Sequence, residues 1–521
     1  MAGRASTALD AARRARELSR LGDAPFVDVL VVGGGVTGAA IALDAASRGL
    51  RTVLVERHDL AFGTSRWSSK LVHGGLRYLA SGQFGIAHES AAERHVLMTR
   101  TATHLTRPLR QVVPLYGADY MSQGAYVGAG FALGDGMRRL VGTPAEAVPP
   151  PAMLDPARTR ELAPAVAGDG LRGAVSGWDG QVIDDARLVV ALCRTAAGEG
   201  ASILTRVEAR EVAGDGALLV DTTTGAELRV GARAVVGAAG VWTGLIDPAV
   251  RLRPSRGTHL VVETARLGGA DVSLTVPVPG ATGRFVFTVP APHGRTYIGL
   301  TDVPLDGDGS GAMADVPHAT DAEIDELLAT MNTVLADPLD RHDVIGTFAG
   351  LRPLLDDADD TDGARDTDAL SRRHAILESS DGVLSVVGGK LTTARRMAQD
   401  GVDEAVRRRR LPTARTSRTA ALPLVGAWPR DALARVAAPP RWVRRYGAEA
   451  PYLAALPAGG DAARGVTAQE LEWGVRVEGA LSVADLLDRR TRLGLVATDA
   501  AASVAAARAA FDRAGVVPLD A

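Results

Sequence analysis

Three sets of residues in this chain have the types and spacing to do chemistry. The first is Gly33, Gly35 and Gly38, which satisfy G-x-G-x-x-G, followed 18 residues later by Glu56. Gly33 permits a tight turn, Gly35 lets backbone N–H groups approach a pyrophosphate, and Gly38 allows a helix to pack closely on a sheet. The positive end of that helix faces the phosphates. The Glu56 carboxylate can bind two ribose hydroxyls and would repel a 2′-phosphate. This set predicts a bound dinucleotide, disfavours NADP, and leaves NAD and FAD open.

The second set is the double glycine of VVGGKLTTARRMA, where Gly388 and Gly389 precede a helix. Its first N–H groups, near Leu391 and Thr392, can point at the pyrimidine edge of a flavin. Reduced flavin is negative at N1 and O2, so a helix origin with Lys390 beside it would stabilise that charge. The early position of the fingerprint, the choice of Glu at 56 and a further glycine-bearing strand end, VVGAAGVWT (235–243), favour FAD.

The third set is a group of cations beside glycine turns. KLVHGGLRY holds Lys70, His73, Arg77 and Tyr78; RGTHLVV holds Arg256 and His259; GLRPL holds Arg352; GGKLTT holds Lys390. In a chain of net charge −3 such a set suggests a local anion pocket. Oxidation of an alcohol by a flavin also needs a base for the hydroxyl proton, and histidine suits that task near neutral pH. His259 is the first candidate and His73 the second.

These residues need elements to hold them. The stretch 28–57 reads as strand, small-residue helix closed by Gly49, and strand. Residues 58–82 are a polar, glycine-rich loop with many donors, and 86–104 a helix. The chain then breaks often at Pro and Gly from 108 to 180, before a helix over 184–200 and strands over 201–211 and 231–244. Segments between 256 and 302 predict an antiparallel sheet. Residues 382–408 repeat the order strand, double glycine, helix. Residues 306–316 and 356–370 are acidic surface loops, and from 429 the chain is mostly helical.

Bulk properties exclude several classes. A length of 521 residues suggests two to four structural units, and 46% hydrophobic residues suit a packed globular protein. The near-neutral charge argues against a nucleic-acid binder. One cysteine, Cys193, rules out an internal disulfide and multi-cysteine metal sites, and is read as core filler. No metal site is expected. No run approaches 18 apolar residues, and no secretory h-region stands at the N-terminus. Residues 1–24, rich in Arg, are read as a poorly ordered extension, with an amphipathic helix on an anionic membrane surface as the alternative.

Taken in order, VVGGGVTGAAIALDAASRGL, GTSRWSSKLVHGGLRYL, DDARLV, GLRPL, SVVGGKLTTARRMA and DLLDRRTRLGL closely resemble the FAD-dependent aerobic glycerol-3-phosphate dehydrogenase family, bacterial type, over about residues 26–495. The resemblance implies an α/β fold with three parts. A glutathione-reductase-like, Rossmann-type FAD domain would be discontinuous (25–107, 176–253 and 341–408), and a mixed-sheet substrate cap would span 108–175 and 254–340. A linker (409–428) would lead to an all-helical C-terminal domain (429–521).

It further implies oxidation of sn-glycerol 3-phosphate to dihydroxyacetone phosphate, electrons passed to a membrane quinone, and a cytoplasmic protein held peripherally at the inner face of the membrane. A glycerol-3-phosphate oxidase using oxygen is the alternative, and a homodimer is left open. Carried over by similarity, FAD contacts are Gly33, Gly35, Val36, Thr37, Gly38, Glu56, Arg57, Thr64, Ser65, Ser68, Ser69, Lys70, Leu71, Val207, Ala239 and Gly240, with Gly389, Lys390, Leu391 and Thr392 at the flavin. The implied substrate pocket holds His73, Arg77, Tyr78, His259, Arg352 and Lys390, with His259, Arg352 and Lys390 as catalytic candidates.

Overall fold

The computed structural model describes residues 7–80, 82–281, 283–305, 315–355, 374–411 and 414–520. Two sheets organise the described residues. In the first, the apolar run Phe26–Val32 pairs in parallel with Thr52–Glu56 on one side and Glu227–Gly237 on the other, and Leu384–Gly388 and Ser202–Thr205 extend it in parallel. Such strands are buried on both faces, which is why they read as unbroken Val/Leu/Ile runs. Helices Val36–Ser47, Asp185–Gly198 and Ala394–Arg409 cover one face, their small residues packing into a single core with the strands.

The glycine turn is legible atom by atom. Gly33 sits at φ +117°, and a Cβ there would stand 2.6 Å from the Ala238 carbonyl oxygen; one on Gly38 would stand 1.9 Å from the Gly33 oxygen. Only glycine lets strand, turn and helix meet this closely.

The second sheet runs in the order 303–304, 252–263, 295–299, 285–291, 273–277, 106–116, 171–182, 71–72, with 346–355 on the other edge of 252–263. The strand Gly346–Leu355 pairs along Leu252–Glu263 in ten-residue antiparallel register and so joins the cap sheet, as do 71–72, 106–107 and 176–182. The chain therefore passes between the sheets after Glu56, after Val182, after Gly237 and after Leu355. The stretch expected to be broken, 108–180, contains the 21-residue helix Tyr120–Leu140, in which Gly124 packs against Leu115 of a cap strand and Gly134 against Leu76.

Residues 11–23 form a docked helix, contrary to the expectation of a poorly ordered extension. Asp10 caps it, Arg13 reaches the carbonyls of Ala197 and Ala201, and Glu17 accepts from the Ile203 N–H. The segment read as a linker is likewise packed: Leu411 and Leu424 enter the core, and Ser417 bonds Asp44. The acidic loops expected at 306–316 and 356–370 lie almost wholly outside the described residues.

The C-terminal helices hold the loop that follows Glu56. Both oxygens of buried Asp59 accept from Arg490, at 2.8 and 2.9 Å, and Arg489 adds a third bond at 2.6 Å. Burial alone would raise the Asp59 carboxyl, but the two guanidiniums hold it well below the usual carboxylate range. Arg492 donates to the Arg66 carbonyl, and Asp488 pairs with Arg66.

Candidate active site

Between the two sheets lies a cavity of about 1110 Å³, at the upper end of the range for ligand pockets. One end is the dinucleotide turn. Gly33, Gly35, Val36 and Thr37 line it, and Gly38 lies beneath, filled by packing rather than facing the space. The helix Val36–Ser47 has no side-chain bond from its own N-cap, Gly35; Ser65 instead accepts the Val36 N–H. Glu56 lines the same end, its two oxygens fixed by the N–H groups of Gly34 and His58 at 2.7 Å each, while burial pushes its pKa up. Arg57, Val207, Ala239 and Gly240 also line it.

The loop 58–70 forms one wall with Thr64, Ser65, Ser68 and Ser69, continued by Leu71. Thr64 bonds the Leu351 carbonyl, and Ser68 bonds Asp185, so the loop is tied to the second sheet and to the start of the helix Asp185–Gly198. Lys70 departs from expectation: its ammonium folds back onto the carbonyls of Arg66 and Ser68 and onto Asp185 at 3.0 Å, so it does not face the cavity. An isolated ammonium in so dry a place would be costly, and Asp185 of the DDARLV motif neutralises it; burial still lowers its pKa to about 8.

The cavity is also lined by His73, Tyr78, His259, Arg352, Gly389, Lys390, Leu391 and Thr392. The side chain of Arg77 lies outside the described residues, and Arg256 is absent from the wall because it pairs with Glu323. Arg352 is held by Asp302 at 2.7 Å, Ser255 at 3.0 Å and the Thr301 carbonyl at 3.1 Å. Adjacent glycines make room: a Cβ on Gly257 would meet the Arg352 guanidinium at 2.5 Å, and one on Gly299 the His259 ring at 2.2 Å.

His259 is 1% exposed and stacks on Phe348. Its Nε2 lies 2.9 Å from Ser69 Oγ, and its Nδ1 is buried without a hydrogen-bond partner among the described residues. Burial, then the cations of Lys70 and Arg352, push its pKa well below the ordinary value, so the ring is neutral and able to accept a proton. Lys390 bonds Ser90 at 2.9 Å and lies 3.8 Å over the Tyr78 ring.

Several lining or supporting residues escaped the sequence reading. Asp302 and Ser255 orient Arg352, Asp179 faces the cavity, and Leu76, Leu79, Val113, Val127, Phe131 and Leu133 form an apolar arm. Strand register brings Asp302 and Ser255 to Arg352, and no local spacing announces that. The described residues contain no cluster fit to hold a metal ion.

A cavity volume large enough for a dinucleotide, a helix origin whose N-cap is a glycine with no side chain, a fixed carboxylate for ribose and an orphaned His259 Nδ1 fit a flavin dinucleotide. A family model described as FAD dependent oxidoreductase matches residues 28–395. The chain is 50% identical over 521 residues to glycerol-3-phosphate dehydrogenase 1 of Mycobacterium tuberculosis and of Mycobacterium bovis, covering 98% of this chain and 99% of theirs.

The chain belongs to the FAD-dependent glycerol-3-phosphate dehydrogenase family.

A solved family structure, the Bacillus halodurans glycerol-3-phosphate dehydrogenase complexed with FAD, superposes with a TM-score of 0.72 at 26% identity, covering 98% of this chain and 94% of that one. The L-alpha-glycerophosphate oxidase of Mycoplasma pneumoniae with FAD bound shares the fold, with a TM-score of 0.55 at 19% identity over 77% of this chain and 99% of that one. The cofactor of this family member is FAD, and the cavity's glycine turn and Glu56 are the groups fit to hold it.

Proposed function

We propose that this protein oxidises sn-glycerol 3-phosphate to dihydroxyacetone phosphate and passes the electrons to a membrane quinone. The observation that supports the reading is that Arg352, His259 and Lys390 all line a cavity fit for FAD. When bound, flavin supplies the hydride acceptor at N5.

Arg352 and Lys390 bind the phosphate and orient the carbon skeleton, Arg352 pre-aimed by Asp302. His259 takes the hydroxyl proton at a ring nitrogen as the C–H bond breaks. A phosphate beside Arg352 opposes one of the causes that depress the His259 pKa, so substrate binding itself makes the ring a better base. The apolar arm, walled by Phe131 and Leu133 of the helix Tyr120–Leu140, suits an apolar acceptor such as a quinone ring. On the same helix Met121, Tyr126, Leu133 and Leu140 are all more than half exposed, which supports peripheral docking on a membrane face. No helix among the described residues is long and apolar enough to cross a membrane.

Anaerobic addition of glycerol 3-phosphate to the purified protein tests the reading. Bleaching of the flavin absorbance near its visible maximum is expected, and an unchanged spectrum overturns it. Mixing the reduced protein with a menaquinone analogue and, separately, with oxygen then decides the acceptor. Faster reoxidation by the quinone is expected, and faster reoxidation by oxygen would assign an oxidase instead.

A further inference from the structure

The helix Phe84–Val96 lies behind both basic turns of the site and carries three buried polar side chains on one face: Ser90 at 0%, Glu93 at 4% and Arg94 at 3% exposure. The spacing i, i+3, i+4 puts them side by side. Apolar residues would pack there at less cost, since buried polar groups need compensating bonds. Each of the three is instead matched to a partner on a turn or strand of the site.

Ser90 meets Lys390. Its hydroxyl donates to the Ile86 carbonyl at 2.8 Å, so its oxygen is left to accept from the Lys390 ammonium at 2.9 Å. The other side of that ammonium faces the Tyr78 ring. Glu93 grips Arg395, one turn further along the chain from Lys390, with Nε at 2.7 Å. Arg94 meets Asp179 at 2.6 Å, and the same Asp179 oxygen accepts the Gly74 N–H at 2.8 Å. The guanidinium lies flat against Gly74, where a Cβ would stand 2.3 Å from it. Gly74 belongs to the turn that presents His73 and Tyr78, and the His73 N–H reaches across to Thr392 of the other turn at 3.2 Å.

We infer that the helix Phe84–Val96 is a brace that keeps the HGGLRY and GGKLTT turns in register across the substrate end of the cavity, with Ser90 and Arg94 as its positioning residues. Neither reacts. Ser90 fixes where the Lys390 charge stands, and Arg94, through Asp179, fixes the turn bearing Tyr78 against which that charge rests. The inference rests on the proposed function for its substrate, but the geometry of the brace does not.

Two substitutions test it in the flavin-loaded full chain. Ser90→Ala removes the acceptor without adding bulk, and Arg94→Lys keeps the charge but loses the fork that reaches Asp179. For Ser90→Ala the melting temperature should stay close to that of the wild type. KM for glycerol 3-phosphate and the dissociation constant of inorganic phosphate by calorimetry should rise roughly two- to tenfold, and the flavin midpoint potential should fall. Arg94→Lys should move the same three quantities further.

A Ser90→Ala protein with wild-type KM, phosphate affinity and potential overturns the brace, whether or not Arg94→Lys folds. If the wild type fails to bleach with glycerol 3-phosphate, the proposed function falls. Phosphate affinity and potential then still decide the brace.

Discussion

At Arg352 the guanidinium is held ready by Asp302, Ser255 and a backbone carbonyl before any ligand arrives. An arginine fixed in this way loses little side-chain freedom on binding a phosphate, so its charge-assisted bonds count nearly in full. Arg352→Ala should raise KM for glycerol 3-phosphate by roughly 30- to 150-fold, corresponding to about 2–3 kcal/mol. Steady-state kinetics giving a KM within twofold of the wild type would remove Arg352 from the pocket. His259 makes a second demand. Its folded pKa lies well below 6.5, so the neutral, proton-accepting form persists on acidification. The kcat/KM profile should stay flat from pH 8 through pH 6.5; an acid limb already falling at pH 7 would point to another base. Cys193 needs no chemistry at all, being fully buried with its thiol pushed up by burial.

The first strand, turn and helix show how far an element can be read from residues alone. Gly33, Gly38 and Glu56 announced their places because each is demanded by local geometry, and the structure sets all three within one strand–helix–strand unit. Gly33→Ala should strip the protein of flavin and cost about 1–3 kcal/mol of stability through strain at φ +117°. A variant purified with full flavin content would contradict this. Other elements stayed hidden for physical reasons. Tyr120–Leu140 carries glycines that normally weaken a helix, and tertiary contacts override that local preference. The pairing of Gly346–Leu355 with Leu252–Glu263 stayed hidden because the two strands are distant in sequence and pairing register is not written in either. Lys70 looked like an anion ligand from its neighbours in KLVHGG, yet the charge that claims it, Asp185, is 115 residues away. The site's residue types were thus legible, while its orienting partners, Asp302, Asp179 and Ser90, depend on long-range packing.

Across the molecule, buried titrating groups tie stability to pH. Burial lowers His104 to about 3 and His293 to about 4, and depresses His259 as well. The unfolded chain takes up these protons below about pH 6.5 and the folded one refuses them, so stability falls as pH drops. Each such histidine costs about 1.4 kcal/mol per pH unit in that window. Asp59, held low by Arg490 and Arg489, adds stability that is present above about pH 4 and lost below it, so both effects run the same way. Buried Glu56, Asp44 and Glu17, raised by desolvation, act in the opposite sense nearer the carboxylate range, so melting temperature should decline from pH 7.5 to about pH 5.5, and a flat profile there would contradict the buried neutral histidines. The repeated passage of the chain from one sheet to the other has its own consequence. Four chain crossings restrain the two layers against opening, so solution scattering should give the same radius of gyration with and without product. Substrate and product would then come and go through a mouth of constant width.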